Sequence, residues 1–113
     1  MARAATTADV FNAIAEPRRR LIVEALARRG ALAVGALVVV VGLPQPTVSK
    51  HLGVLRQVGV VSVVKQGQQR VYQLEAEKLK VVHDWAKKFE QLWSHQLDRI
   101  KERAERKAKE RKV

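Results

Sequence analysis

The segment Gly42-Leu43-Pro44-Gln45-Pro46-Thr47-Val48-Ser49-Lys50-His51-Leu52-Gly53-Val54-Leu55 constrains the chain most. It reads as a turn, a helix start and a helix with two unlike faces. Val48, Leu52, Leu55 and Gly59 recur at three- and four-residue steps and predict one buried stripe. Pro46 suits a first helical turn, where a missing N–H has no intrahelical partner to lose. The other side carries Thr47, Lys50 and Val54, flanked by Gln45, Ser49, His51 and Arg56. Amide, hydroxyl and cationic groups on one face can reach base edges and hold phosphates. With an apolar helix just upstream and a short Gly-Leu-Pro link, the segment predicts a helix-turn-helix.

Elements on both sides are predicted from the same punctuation. A short helix is expected from about Thr7 to Ala15, with Val10, Phe11 and Ile14 on one face. Glu16-Pro17 breaks it, and a second helix runs to about Arg29 with Leu21, Ile22, Ala25 and Leu26 inward, stopped by Gly30. Arg18, Arg19 and Arg20 crowd the first turn of that helix. Cations there oppose the helix dipole, so a nearby phosphate or carboxylate would relieve them; a solvated basic turn is the alternative. A third helix is expected over Val34–Val41, ended by Gly42. Its run Val38-Val39-Val40-Val41 is β-branched and disfavours helix, so some of these valines must be exposed or covered by a partner.

After the amphipathic helix, about 45–58, two strands are expected over about 60–74: Val60–Lys65 and Arg70–Leu74, joined through Gln66-Gly67-Gln68-Gln69. A hairpin in that position is a wing. From about Glu75 the chain is expected to turn helical and stay so. Leu79, Val82, Ala86, Phe89, Trp93, Leu97, Ile100 and Ala104 keep helical spacing over about seven turns. So long an apolar stripe exceeds what one small domain covers and should pair with a copy of itself, together with the Phe11–Ile14 face. Beyond Ile100 the residues are polar and expected to fray.

Charge adds a partner class. The 113 residues carry a formal net charge of +11, which favours a polyanion. Residues 99–113 hold eight Lys/Arg against three Glu, and residues 1–58 hold eight against three Asp/Glu, so the charge is not confined to a tail. With no cysteine, disulfides and thiolate metal sites are excluded. Met1 to Val10 lack the apolar centre of a signal peptide, and the longest apolar run, Ala36 to Val41, is too short for a bilayer. A soluble, cytoplasmic protein without membrane contact is expected. No catalytic constellation or phosphate-binding glycine loop is present, so an enzyme is not expected.

The order helix, helix, helix-turn-helix, wing and terminal helix resembles the ArsR family of winged-helix transcriptional repressors. The resemblance covers about Asp9 to Trp93. It rests on Pro17-Arg18-Arg19, on Gln45-Pro46-Thr47-Val48-Ser49-Lys50-His51-Leu52, and on Val71-Tyr72-Gln73-Leu74. It implies a mainly α (α+β) fold: a winged helix-turn-helix DNA-binding domain over 1–75 and a C-terminal dimerisation helix with a basic tail over 76–113. It further implies a homodimer on a pseudo-palindromic operator of double-stranded DNA, with recognition helices in successive major grooves and wings over the minor groove. Metal-sensing members carry a cysteine pair in the third helix, where this chain has Ala33 and Gly35, so thiolate sensing is excluded there. Zinc between terminal helices is not expected either. His83 and His95 are twelve residues apart and turned away from each other, and the first ligand pair would fall near Glu75 and Glu77. No cofactor or metal is expected, and no effector is indicated. Pro44 stands where the family often has a capping residue, which forgoes one bond of about 1 kcal/mol.

The candidate DNA contacts are Gln45, Thr47, Ser49, Lys50 and His51 for the groove; Arg56, Arg18 and Arg19 for phosphates; and Lys65, Gln68, Gln69 and Arg70 at the wing. Each has a plainer reading as solvated surface, and His51, bordering the buried stripe, also as a packed histidine. The candidate dimer interface is Val10, Phe11, Ile14, Val82, Phe89, Trp93, Leu97 and Ile100. Two alternatives compete with a sequence-specific repressor. One is a winged-helix module for protein or RNA that docks through Val38 to Val40; the other is a protein that coats DNA without sequence preference.

Overall fold

The computed structural model describes residues 6–111. Four helices, α1 (Thr7–Ala15), α2 (Pro17–Arg29), α3 (Val34–Val41) and α4 (Gln45–Val58), precede the wing, with one short strand between α2 and α3. Three strands, β1 (Leu32–Ala33), β2 (Val61–Gln66) and β3 (Gln69–Leu74), form one antiparallel sheet in the order β1-β3-β2. A 3₁₀ turn over Ala76–Leu79 leads into α5 (Lys80–Lys87), and α6 (Glu90–Arg111) follows. The chain divides after Val82 into two compact units.

Local chemistry sets the helix ends. Thr6 caps α1 through a reciprocal pair: its hydroxyl accepts from the Asp9 N–H at 3.2 Å, and the Asp9 carboxylate accepts from the Thr6 N–H at 2.8 Å. Glu16 caps α2 by accepting from the Arg19 N–H at 3.1 Å, with Pro17 in the first turn. Gly42 ends α3 in the left-handed region at φ +69°, which only glycine adopts cheaply, and its N–H donates to the Val38 carbonyl. The three residues from Gly42 to Pro44 then redirect the chain into α4. Pro44, as expected, offers α4 no side-chain cap.

The first unit closes around one core. Ile22, Leu37, Leu52, Leu55, Val48, Val60 and Val61 are its largest fully buried side chains, drawn from α2, α3, α4, the residue before β2 and the first residue of β2. Burying each aliphatic side chain of this kind contributes about 1.5–3 kcal/mol relative to leaving it in water. The stripe expected on α4 is in place at Val48, Leu52 and Leu55, with 0 %, 1 % and 0 % exposure, but Gly59 lies beyond the helix as its left-handed cap at φ +91° and is not part of the stripe. The valine run does form a regular helix. Its Val38, Val40 and Val41 pack partly against the core, and only Val39 stands out into solvent. A continuous docking patch over Val38 to Val40 is therefore not formed.

Several expectations are corrected. On α2, Leu21 is exposed and Val23 takes its place inside, because α2 packs against α1, α3, α4 and β3 and so buries a broader arc than a single stripe. Val10 of α1 lies in the core with Ala13, so it is not free to join an interface. The short strand β1 was not expected from the sequence; it pairs Leu32 with Tyr72 and Ala33 with Val71.

The terminal helix is not continuous. Between α5 and α6, the N–H groups of Lys88 and Phe89 donate to carbonyls three residues back, Trp85 and Ala86, which tightens the turn. No proline or glycine stands there to demand the break. The polar residues past Ile100 continue α6 to Arg111.

Candidate nucleic-acid interface

Four neighbouring residues of α4, Val48, His51, Leu52 and Leu55, face the core, so the helix phase fixes what faces out. On a 3.6-residue period, the line furthest from the core is Pro46, Lys50, Gly53 and Gln57, all exposed. Gln45, Ser49 and Arg56 lie exposed on one flank; Thr47 and Val54, half-buried, lie on the other. Gln57 and Gly53 were absent from the residues singled out by sequence. Gln57 could have been found by continuing the Pro46-to-Lys50 step along the helix. Gly53 is unusual, because an interior helical glycine costs about 0.5–1 kcal/mol relative to alanine. A Cβ built on it would meet nothing within 4 Å, and its φ lies outside the left-handed region, so neither packing nor backbone requires it.

His51 and Arg19 turn inward together. His51 is only 6 % exposed. The Arg19 guanidinium spans the junction of three helices: Nε donates to the Ala13 carbonyl, Nη2 to the Asn12 carbonyl at 3.3 Å, and Nη1 lies 3.3 Å from His51 Nδ1. Arginine has no acceptor, so Nδ1 accepts and the imidazole proton resides on Nε2. That nitrogen lies 3.7 Å from Glu16 Oε2. Burial lowers the His51 pKa below the usual histidine value; the Glu16 carboxylate pulls it back up, while Arg19, Arg18 and Lys50 push it further down. His51 is a neutral brace between α4 and the start of α2. A groove contact at His51 and a phosphate contact at Arg19 do not fit this placement.

The arginine cluster of α2 finds its anion inside the chain. Burial alone would raise the Glu16 carboxyl, but hydrogen bonds from the Arg19 N–H and from Arg18, with the charge of Arg18, outweigh it and hold that carboxyl below its usual range. Arg18 Nε donates to Glu16 Oε1 at 3.1 Å, and Arg20 donates to the Ile14 and Ala15 carbonyls at the end of α1. Arg18 remains on the surface, with its side chain 56 % exposed.

The wing is a two-residue hairpin. Gln66 pairs with Gln69, leaving Gly67 and Gln68 at the tip. Gly67 takes φ +59° while Gln68 keeps a negative φ, the pattern of a turn with glycine at its first central position. Lys65 and Arg70 are directly opposite each other across the strands, and both are exposed. Like charges in that register repel, and a bound anion would relieve them. At the base, the Glu75 N–H donates to the Val60 carbonyl at 2.8 Å, and the Glu75 carboxylate accepts from Ser62 Oγ at 2.6 Å and Gln73 Nε2 at 3.3 Å.

Among the described residues, the second unit carries none that is buried. Trp85, Phe89 and Trp93 follow at four-residue steps, with ring centroids 5.3 Å and 6.3 Å apart. Phe89, Trp93, Leu97 and Ile100, expected at an interface, are 37–63 % exposed. Trp85 and Leu92 join them, at 52 % and 54 %; the spacing of Trp85 before Phe89 could have flagged it. Phe11, Ile14 and Val82 are half-buried in the first unit. His83 lies 3.4 Å from Asp84, and His95 lies 3.1 Å from the Arg99 guanidinium. Among the described residues, no three metal-ligating side chains come together.

Residues 16–63 match the family model described as bacterial regulatory protein, arsR family. A solved structure of an ArsR family transcriptional regulator superposes with a TM-score of 0.62 at 30% identity, covering 76% of this chain and 93% of that one. The chain belongs to the ArsR family. It is a winged helix-turn-helix, DNA-binding transcriptional regulator, and members of this family regulate transcription rather than catalyse reactions. The transcriptional repressor SdpR of Bacillus subtilis is 32% identical over 81 residues, which are 72% of this chain and 89% of that protein. The homodimeric winged helix-turn-helix DNA-binding domain of a possible ArsR-family regulator from Mycobacterium bovis is 29% identical. Its TM-score is 0.61, with 75% of this chain and 80% of that one covered. Among the described residues, no helix is long and apolar enough to cross a membrane.

Proposed function

We propose that this ArsR-family regulator is a repressor that binds a pseudo-palindromic operator as a homodimer. The observation that carries the reading is the phase of α4. With its apolar residues and His51 turned to the core, the helix leaves Lys50 outward, Gln45 and Ser49 exposed on one flank and Thr47 half-buried on the other at its N-terminal end, the end that meets base edges in helix-turn-helix proteins. Arg56 and Arg18 supply phosphate contacts beside it. Lys65, Gln68, Gln69 and Arg70 place the wing tip on the flanking backbone or minor groove. Residues 1–75 carry DNA binding and 76–113 carry dimerisation, through Trp85, Phe89, Leu92, Trp93, Leu97 and Ile100. The name of SdpR supports repression, and the homodimeric Mycobacterium bovis domain supports the assembly.

The test is binding to the DNA immediately upstream of the protein's own gene, against scrambled duplex, at two salt concentrations. A dimer-stoichiometric complex with at least about a hundredfold preference is expected, within the range specific regulators show. Its log affinity should fall with log salt at a slope near −5 if about six phosphates are neutralised. Equal, salt-sensitive binding to both duplexes would replace this reading with a coating role.

A further inference from the structure

Gly53 is an outward position of α4 at which neither packing nor backbone conformation requires glycine. It lies inside a fourteen-residue helix, it is exposed, and a methyl group there would meet no protein atom within 4 Å. Alanine would stabilise the helix, yet the position is bare backbone. It sits one turn beyond Lys50 and one turn before Gln57, on the line furthest from the core, between two side chains able to bond a polyanion or a base edge. Gly35, also exposed and open, differs because it stands in the first turn of α3, where helix propensity counts least.

We propose that Gly53 is the point at which the α4 backbone comes into van der Waals contact with duplex DNA, and that the missing side chain sets how deeply the helix seats in the major groove. The inference rests on the DNA-reading role given to α4 above. Close approach of helix backbone to a ligand is a use of glycine that no packing within the chain reveals. A Cβ at this position would hold the helix off by about the length of one carbon–carbon bond. Lys50 and Ser49 would then lose the short distances that base-edge hydrogen bonds need.

The experiment uses the full chain and duplexes selected by the wild-type protein from a randomised pool. Gly53→Ala should raise the thermal midpoint by about 2–8 °C while lowering affinity for the selected duplex about tenfold or more. Gly53→Gln should lose more than Gly53→Ala, since the barrier is size rather than chemistry. If the wild type selects a sequence and Gly53→Ala binds it equally well, the close-approach role is overturned while the regulator's DNA reading stands. Gly53→Gln binding as tightly as wild type would overturn it in the same way. If the wild type selects no sequence, the DNA reading of α4 fails and the role of Gly53 fails with it.

Discussion

The two units of this chain use apolar residues in opposite ways. In the first, Ile22, Leu37, Val48, Leu52 and Leu55 are at most 1 % exposed, and the sheet and four helices cover one another. In the second, Trp85, Phe89, Leu92, Trp93, Leu97 and Ile100 keep between 37 % and 63 % of their surface. The first unit buries most of its large apolar side chains and leaves Leu21, Val39 and Val64 exposed singly. The second leaves these apolar side chains uncovered, the pattern expected of the dimerisation surface proposed above. Stability of the first should therefore be a property of one chain, and that of the second a property of concentration.

Four measurements would break or sharpen that contrast. Leu52→Ala removes a buried side chain and should cost about 2–5 kcal/mol in urea unfolding. The cost should be the same at any protein concentration once the dimer contribution is subtracted; a loss under about 1 kcal/mol would mean the core is not where the structure puts it. Trp93→Glu should leave the circular dichroism of the first unit intact and shift the monomer–dimer equilibrium by about a hundredfold or more, read by sedimentation. An unchanged dimer would remove this face from the interface. Lys50→Ala should cost about 1–3 kcal/mol on the operator and less on random duplex; equal losses would demote Lys50 to a phosphate contact. The smallest effect concerns pH. The folded-state pKa of His51 lies below the usual 6.5, so the unfolded chain takes up the proton first as pH falls. Its contribution is complete above 6.5 and is lost as pH drops through the lowered folded value. His51→Gln should flatten the decline in thermal midpoint between about pH 7.5 and about pH 5.5. The facing charged groups, Glu16, Arg18, Arg19 and Lys50, remain as they are in that variant.

The same contrast governs what could be read from the sequence. In the first unit, helix ends are written locally: Pro17, Gly30 and Gly42 mark the start and end of α2 and the end of α3, whereas Gly59, read as part of the buried stripe, proves to be the left-handed cap of α4. The wing is equally legible from Gly67 and alternating strands. What escaped was non-local. The strand β1 is two residues long and exists because Tyr72 and Val71 come to meet it. The choice of Val23 over Leu21 depends on four surrounding elements. His51 sits at the edge of the buried stripe by sequence, and only the guanidinium of Arg19, thirty-two residues away, decides that it faces in. In the second unit, the periodicity correctly announced helix and an exposed face, but the tightened turn at Lys88 and Phe89 has no residue type to announce it.

The three-stranded sheet has a further consequence. Only the inner part of the wing is held on both sides: β3 pairs with β2 along its whole length, and with β1 at Val71 and Tyr72. The segment just before α3 is thus sewn to the middle of β3, while Lys65 to Arg70 overhang it. Such an arrangement works as a ruler. The base moves with the helix-turn-helix, so the distance between the outward face of α4 and the overhanging cations is a fixed length of the protein, adjustable only by the bending of a few residues. Amide exchange should show this as a step, slow at Val71 and Tyr72 and fast across Gln66 to Gln69. If α4 and the wing hold one duplex as proposed, that DNA must present its next phosphates at the preset distance or bend to do so.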